Sequence, residues 1–380
     1  MAKKNIDSFQ YAILNADIPV FDALVRDFDG FDQELKNDIL THTVMNAPDT
    51  KFIEYVIEKC GFDLGYKDED GATLLHWAAA SNYPETVKFF LAKGLDIEAK
   101  TSDTQETPLF YAAKYSDNPE VLQAFIDAGA DTEVCDIDGE NLLIAAAGRN
   151  SSMEITHFLL KLGFDTEVRD KEGFTPILNA ARWQTNTDVI TLLVEAGADT
   201  NARTSSGNNM FHLAAYNECS AIAGYIQTLF TTSQLNEDEE SCLETALLHA
   251  KNPMVLNYYL TKMKREHVTL ACMNDTPEIL EALLLSGCDA NLTNEVGCTP
   301  LMLAAKLNSN PDVIKMLLYY DAVWNCKDMN GRNALHYAAA NTDPAIYKWM
   351  LEHEELKTLA DQEDKNGNKP DYYLGHKDKF

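Results

Sequence analysis

A histidine beside a tryptophan is the first pair of residues in this chain that could carry out chemistry. His76 and Trp77 lie in "DGATLLHWAAA" (70–80), just after a polar turn. In an enzyme, such a histidine could act as a general base near neutral pH, and the indole could line a substrate pocket. In a repeat protein, both residues could be structural. The choice depends on whether the pair recurs along the chain.

The position of His76 recurs, but its residue type varies. Two other histidines share its register, His212 and His336. Apolar residues fill the same register elsewhere: Phe110, Ile144, Leu178 and Met302. Phenylalanine and leucine cannot replace a general base, whereas they can fill a packing position. We therefore predict a structural role for His76, whose buried ring would need hydrogen-bond partners, and a place in or beside the core for Trp77.

The remaining candidate groups lack the spacing of catalytic or metal sites. Nine histidines and eight cysteines are present, without a CxxC sequence or a zinc-type Cys/His cluster. The chain has no P-loop, no G-x-S-x-G and no H-E-x-x-H sequence. The acidic segment 64–73 departs from the calcium-loop pattern. We predict that the protein is not an enzyme, with no catalytic residue, no metal and no cofactor.

The charge balance limits the class of partner. Asp and Glu number 60 against 31 Lys and Arg, which gives 380 residues a net charge of −29. Such a surface repels phosphate backbones and anionic lipids, so we expect no nucleic-acid and no membrane binding. The sequence shows neither a signal peptide nor a membrane-spanning apolar run. We expect a cytoplasmic and monomeric protein with reduced cysteines; export by a specialised secretion system stays open.

Pairs of alanines recur along the chain at a fixed interval. Successive pairs are 34 residues apart within each of two groups, Ala78-Ala79, Ala112-Ala113, Ala146-Ala147, Ala180-Ala181 and Ala214-Ala215, and then Ala304-Ala305 and Ala338-Ala339. Fixed self-similarity at this period is typical of proteins built from stacked structural repeats. Small side chains at one position of each unit allow neighbouring helices to approach closely.

Each unit also carries start and stop signals for two helices. Threonine followed by proline, as in "FTPILNAA" (174–181), favours a helix start. A residue suited to a left-handed C-cap ends the second helix: Gly61, Gly94, Gly129, Gly163, Gly197, Gly287 and, by substitution, Asp321. A second glycine about ten residues later marks a turn in most units, for example Gly173 and Gly207. The sequence therefore predicts a turn and two short helices per unit.

These features resemble the ankyrin repeat. The segments that carry the resemblance include "GATLLHWAA", "GFTPILNAA", "GCTPLMLAA" and "GADTNA". The resemblance implies an all-α solenoid of about ten helix–turn–helix units, joined by short β-turn or hairpin connections and capped at both ends. The 34-residue step exceeds the usual ankyrin step by one residue and is similar to bacterial ankyrin arrays. For His76, the resemblance implies ring nitrogens that bridge the backbones of neighbouring turns.

Departures from the period suggest the organisation of the chain. After Ala215 the spacing breaks, and an acidic segment (236–240) precedes a degenerate unit that lacks one turn hairpin. This region is either a bend or a harmless irregularity. We expect five parts: an N-terminal cap with a divergent repeat (1–66), regular repeats (67–230), irregular repeats (231–268), C-terminal repeats (269–360) and a C-terminal cap (361–380).

The resemblance also implies a binding surface on the concave side of the stack. It places there the two residues that follow each alanine pair: Ala80/Ser81, Lys114/Tyr115, Gly148/Arg149, Arg182/Trp183, Tyr216/Asn217, Lys306/Leu307 and Ala340/Asn341. Trp, Tyr and Arg are enriched at binding hot spots. We predict these partner-binding residues: Tyr115, Arg149, Arg182, Trp183, Tyr216, Lys114, Phe174 and Lys306. The alternative is that these side chains only pack on their neighbours.

The predicted function is non-catalytic binding of a protein partner. One alternative is an inhibitor, such as an immunity or anti-defence protein, whose acidic surface blocks a basic active site. Another is a structural scaffold in a larger assembly. Acidic residues at the turn tips, including Asp68, Asp136 and Asp170, could attract a basic partner, whereas the Tyr/Arg/Trp set suits an acidic or mixed one.

Overall fold

The structure, a computed structural model, describes residues 3–26, 30–229, 244–258 and 267–380. The chain divides into two compact units, Met1–Met210 and Phe211–Phe380. Within the described residues, none of the helices combines the length and apolar character that crossing a membrane requires.

The first unit consists of short helices that follow one another in pairs. Two helix pairs precede the regular repeats: α1 (Lys3–Leu14) with α2 (Ile18–Leu24), and α3 (Gln33–Asn46) with α4 (Thr50–Cys60). The regular pairs are α5 (Leu74–Ala79) and α6 (Pro84–Ala92), α7 (Pro108–Tyr115) and α8 (Pro119–Asp127), α9 (Leu142–Arg149) and α10 (Met153–Lys161), and α11 (Pro176–Trp183) and α12 (Asp188–Glu195). Helix α13 (Met210–Tyr216) leads into the second unit.

The second unit repeats the same pattern. Its helices are α14 (Ser220–Leu229), α15 (244–249), α16 (His267–Ala271), α17 (Pro277–Leu285), α18 (Pro300–Leu307), α19 (Pro311–Tyr319), α20 (Ala334–Ala339) and α21 (Pro344–Glu352). One 3-10 helix follows α15 (Pro253–Tyr258), and three follow α21 (Leu356–Asp361, Pro370–Leu374 and Lys377–Lys379). The predicted irregularity at 231–268, with its acidic segment and missing hairpin, lies mostly outside the described residues. The five-part division of the chain stays a prediction.

The predicted helix ends are confirmed. Thr107 is the N-cap of α7, and its hydroxyl oxygen accepts a hydrogen bond from the Phe110 N–H (3.4 Å), while Pro108 opens the helix. The glycines that end the second helices all have positive φ. Asp321, which stands in for glycine, adopts φ +60°. Local capping signals therefore mark where these helices begin and end.

Turn tips connect one repeat to the next through the backbone. The Ser205 N–H donates to the Glu172 carbonyl (2.8 Å), and the Lys171 N–H donates to that of Asp138 (3.0 Å). Two isolated antiparallel bridges, Lys67 with Thr73 and Cys135 with Asn141, close individual turns. The predicted short β-turn and hairpin connections are thus present.

The core of each unit lies between the first and second helices of successive repeats. The alanine pairs are fully buried, as Ala112 and Ala113 illustrate. Helix α7 packs on α5 and α9, and α9 packs on α11. Larger apolar residues such as Phe110 and Phe125 fill the layer next to this seam. Because alanine adds no bulk, the first helices can pack closely in a row.

Buried polar side chains in the links between paired helices form a ladder of hydrogen bonds from repeat to repeat, which the sequence patterns above did not predict. Asn150 Nδ2 donates to the carbonyls of Ala113 (3.0 Å) and Ser116 (2.7 Å) in the preceding repeat. Gln184 Nε2 bonds in the same way to Ala147 and Asn150. We call the full set the link ladder: Ser116, Asn150, Gln184, Asn274, Asn308 and Asn341. A sequence signal for this ladder exists, because the polar residues Ser116, Asn150 and Gln184 recur at 34-residue steps.

The predicted structural role of His76 is confirmed. The ring is fully buried, and Nδ1 accepts a hydrogen bond from the Thr73 N–H (3.0 Å). On the other side, Nε2 lies 3.1 Å from the carbonyl oxygen of Glu106 in the next turn, to which a neutral ring donates. His336 bonds to Asn333 and Asn368 in the same way. Trp77 is half-buried against the core, as expected.

We expect stability to fall as the pH drops below about 6.5, partly because of His76. Burial lowers the pKa of His76, and only the neutral ring can accept from Thr73. A lowered folded-state pKa means that the stabilisation is complete above the unfolded pKa and is lost as pH falls through and below it. Burial lowers the pKa of His336 in the same direction.

The variant His76→Phe tests this assignment. We expect it to cost about 1 kcal/mol at pH 7.5, because two backbone groups lose their partner, and to flatten the stability curve between about pH 6.5 and 5. Urea unfolding across this range, with wild type in parallel, is the measurement. A variant curve parallel to that of wild type would contradict the role of His76 in the pH dependence.

Candidate protein-binding surface

Three of the predicted binding residues lie exposed at the ends of consecutive first helices. Tyr115 ends α7, Arg149 ends α9 and Trp183 ends α11. Tyr115 is 50% exposed and Trp183 is 45% exposed, and the Arg149 side chain is exposed as well. Each follows a buried alanine pair by two residues, which turns its side chain away from the helix seam. We call these three residues the first-helix patch.

Two guanidinium groups approach the indole of Trp183. The Arg149 Cζ lies 4.3 Å from the ring centroid, and the Arg182 Cζ lies 4.9 Å from it. These are cation–π distances, and Arg149 reaches the ring from the preceding repeat. The contacts limit the rotamers of Trp183 while its ring remains exposed. Arg149, Arg182 and Trp183 therefore pack on one another, as the packing alternative predicts, and the Trp183 ring also stays accessible to a partner, as the binding hypothesis requires.

Tyr115 is supported by a different set of contacts. Its ring meets that of Tyr111 edge-on (5.2 Å between centroids), and the Lys114 Nζ lies 5.4 Å from the ring centroid. Lys114 also forms an ion pair with the nearly buried Glu106 (2.6 Å). Burial alone would lower the pKa of Lys114, but the hydrogen bond and the charge of Glu106 raise it. Lys114 therefore stays charged and largely engaged within the protein.

Acidic and apolar neighbours border the patch. Phe174 is half-buried beside the turn that opens the α11 repeat. Glu140 is half-buried, and its Oε1 accepts a hydrogen bond from Asn179 (3.2 Å). Burial raises the pKa of Glu140, and the charges of Arg149 and Lys114 partly offset this rise. The field of the two cations therefore reaches Glu140.

Two predicted binding residues belong to the second unit. Tyr216 is half-buried, and its ring stacks on His249 (4.8 Å between centroids, 20° between planes). Lys306 is half-buried, and its Nζ lies 4.3 Å from the centroid of the Phe380 ring. The structure therefore brings together Arg149, Arg182 and Trp183, and separately Lys114 and Tyr115, whereas Tyr216 and Lys306 have other partners.

The prediction that every residue pair after an alanine pair lies on the concave surface is wrong for four residues. Ser81, Asn217 and Asn341 are buried, as is Gly148. In α5 and α20 the helix ends directly at the alanine pair, so the second residue after the pair already lies in the link and faces inward. For Gly148, an added Cβ would meet the Asn179 side chain at 2.3 Å. For Ser81 and Asn341, helix length, which the repeat period does not reveal, decides that the side chain is buried.

The acidic turn tips have structural partners. In each case one carboxylate oxygen accepts hydrogen bonds from two backbone N–H groups of its own turn, as Asp136 does from Asp138 (2.9 Å) and Glu140 (2.8 Å). Asp68 and Asp170 repeat this arrangement. Burial raises the pKa of Asp136 and Asp170. These carboxylates shape the turns, whatever further attraction they exert on a partner.

Among the described residues, no group of three or more His, Cys, Asp and Glu side chains is arranged to hold a metal ion. His76 and His336 use both ring nitrogens within the framework. The exposed first-helix patch is therefore the strongest candidate for a functional site.

Comparison with known proteins identifies the repeats. Models of ankyrin repeats match residues 109–204, 143–237 and 268–363, and another matches residues 75–126. Palmitoyltransferase ZDHHC13 of Mus musculus is 35% identical over 102 residues, which are 25% of this chain and 16% of that protein. Palmitoyltransferase ZDHHC17 of Homo sapiens is 34% identical over 91 residues, 22% of this chain and 14% of that protein.

The chain thus spans only about a sixth of the length of these relatives, and the likeness lies in the repeats. The family models together cover more than half of the chain, in both of its units. The helix pairs, left-handed caps and bridging histidines agree with that match. The chain belongs to the ankyrin-repeat family, whose repeats serve as protein-interaction modules.

Proposed function

We propose that this protein binds a protein partner, without catalysis, through the first-helix patch. The observation that carries the proposal is the exposed indole of Trp183, held by two guanidinium groups at the ends of adjacent first helices. Tyr115 presents a second exposed ring at the same position of an earlier repeat. A rigid, preformed surface of this kind loses little conformational entropy on binding.

Charge favours an acidic segment on the partner. The Arg149 guanidinium lies over Trp183 but donates no hydrogen bond to any residue that the structure describes, so its donors are open to a partner's carboxylate. Arg182 adds a second positive charge beside the same ring. In a chain of net charge −29, this local excess of cations complements an acidic partner better than a basic one.

An inhibitor that blocks a basic active site is the second candidate. The net charge of −29 favours it, since an acidic surface would speed encounter with a basic enzyme. The turn-tip carboxylates, already bonded to their own backbone, weaken this case. The scaffold role stays open as a further alternative. We assign to this chain none of the activity named in the palmitoyltransferases, of which it covers so little.

Truncation of Trp183 tests the proposal. Because a central, well-packed aromatic residue of an interface contributes about 2 kcal/mol, we expect Trp183→Ala to weaken partner binding roughly 30-fold. The partner is first recovered by affinity purification and mass spectrometry with wild-type protein, and its affinity is then measured by titration calorimetry.

The matched control is Tyr319→Ala, which removes an exposed aromatic ring from the second helix α19 instead of a first helix. We expect wild-type affinity for this variant. Circular dichroism should show intact helices in both variants, because both side chains are exposed. Equal affinity of Trp183→Ala and wild type would refute the patch as the binding site.

A further inference from the structure

The segment 376–380 lies across the first helices of the last repeats in the second unit. The Phe380 ring meets Tyr337 of α20 edge-on (4.6 Å between centroids) and also contacts Tyr373 (5.3 Å). Lys306 at the end of α18 and Arg332 each lie 4.3 Å from the centroid of the Phe380 ring. The segment thus covers Lys306, which the sequence had placed on the binding surface.

The contacts of this segment lie at the surface of the unit. Arg332 Nη1 and Nη2 donate to main-chain oxygens of Phe380 (2.8 Å) and Lys379 (3.5 Å), and the Lys377 ammonium donates to the carbonyls of Asn341 and Thr342. His376 stacks on the exposed Tyr372 ring (4.3 Å between centroids). Every residue from 374 to 379 is exposed. By contrast, the Tyr373 ring is buried, and its hydroxyl donates to the Asp364 carboxylate. The segment can therefore lift away while the repeat beneath it stays folded.

Two cationic groups under Phe380 are only partly engaged, since Arg332 Nη1 and Nη2 donate to the main chain of Phe380 and Lys379 while its Nε and the Lys306 ammonium pair with no group that the structure describes. Arg332 is only 9% exposed, and its Nε is buried without a hydrogen-bond partner. The Lys306 ammonium forms no ion pair or hydrogen bond with any described residue, and burial, followed by the charge of Arg332, lowers its pKa. The nearby Asp328 carboxylate already accepts from Tyr337 and from two backbone N–H groups.

The segment leaves the Lys306 ammonium without a counter-charge. Phe380 offers its π face to Lys306 and Arg332, and its main-chain oxygen accepts from Arg332 Nη1, but no group of the segment forms an ion pair with Lys306. A carboxylate beside the ring would neutralise Lys306 or accept from the unpartnered Arg332 Nε.

We propose that Lys306, Arg332 and Tyr337 form a second binding surface, which accepts an aromatic side chain flanked by carboxylates on a protein partner. The segment 376–380 is a strap that occupies this surface until such a partner displaces it. The partner can bind only while the strap is open. The apparent affinity is therefore the intrinsic affinity multiplied by the fraction of molecules in which the strap is open. This surface belongs to the second unit and does not depend on the first-helix patch.

Fluorescence anisotropy with the full chain tests the proposal. The probe is a labelled synthetic peptide with phenylalanine between aspartate and glutamate residues, and a second probe replaces the acids with asparagine and glutamine. Phe380→Ala should bind the acidic probe at least about 10-fold more tightly than wild type, because the competing segment is released. Lys306→Gln added to Phe380→Ala should cancel the gain, and the neutral probe should show none.

Leu374→Ala is the matched control, since it truncates an exposed side chain of the same region and should bind like wild type. Lys377→Ala removes the other attachment of the strap and should also raise affinity, which keeps the proposal testable if Phe380→Ala folds poorly. Acetylation of Lys306, read by mass spectrometry, should increase in both strap variants. Unchanged probe affinity and unchanged Lys306 acetylation would overturn the strap, whereas Trp183→Ala would still report on the first-helix patch.

Discussion

Replacing Asn150 by leucine should destabilise the first unit by about 4 kcal/mol, because two buried backbone groups and one partly buried one lose their partner at once. Asn150 Nδ2 donates to the carbonyls of Ala113 and Ser116, and its Oδ1 accepts from the Ser152 N–H (2.8 Å). Leucine has a similar volume but neither donates nor accepts. The side chain is 2% exposed, so water cannot replace the lost hydrogen bonds.

Asn150→Gln is the matched control for this prediction. The next repeat places glutamine at the equivalent position, where Gln184 Nε2 donates to two carbonyls. We expect this variant to cost about 1 kcal/mol, since it retains an amide donor but shifts its position. Urea unfolding gives the free energy of both variants. If leucine proved no worse than glutamine, the link ladder would contribute packing and not hydrogen bonding.

Replacing Gly173 by alanine should destabilise the same unit by about 3 kcal/mol, because steric conflict adds to an unfavourable backbone conformation. Gly173 has φ +82°, and an added Cβ would lie 2.7 Å from the Ser205 backbone nitrogen. That nitrogen donates to the Glu172 carbonyl (2.8 Å), which joins two turn tips. The methyl group would force the tips apart and weaken this hydrogen bond.

Gly207→Ala separates the two causes. Gly207 has nearly the same φ, +86°, but an added Cβ would meet nothing within 4 Å. Only the cost of the left-handed conformation then applies, which is about 1 kcal/mol. Thermal unfolding of the two variants gives the comparison, and hydrogen exchange at Ser205 reports the contact between tips. Equal loss of stability in both variants would mean that the close approach at Gly173 has no energetic consequence.

Local structure followed from the sequence because the signals for it are local. Thr107, Pro108 and the helix-ending glycines act within a few residues, so the 34-residue pattern was sufficient to locate helices and turns. His76 could be assigned for a related reason, since the exchange of histidine with Phe110 and Leu178 in one register favoured a packing role, and the structure places its ring in a buried bridge between turns. The exposure of Tyr115 and Trp183 agreed with their place in the repeat.

Contacts between repeats could not be derived in this way. The period does not show that Asn150 reaches back to Ala113, nor that Asn341 faces inward because α20 ends early. The cover over Lys306 was also invisible, because Phe380 is 74 residues further along the chain. Sequence period and capping by themselves predicted a stack of short helix pairs, and the repeat segments carried the resemblance to the family that the comparisons show. Only the tertiary structure decided which side chains are exposed, paired or covered, because these properties depend on distances between residues far apart in the chain.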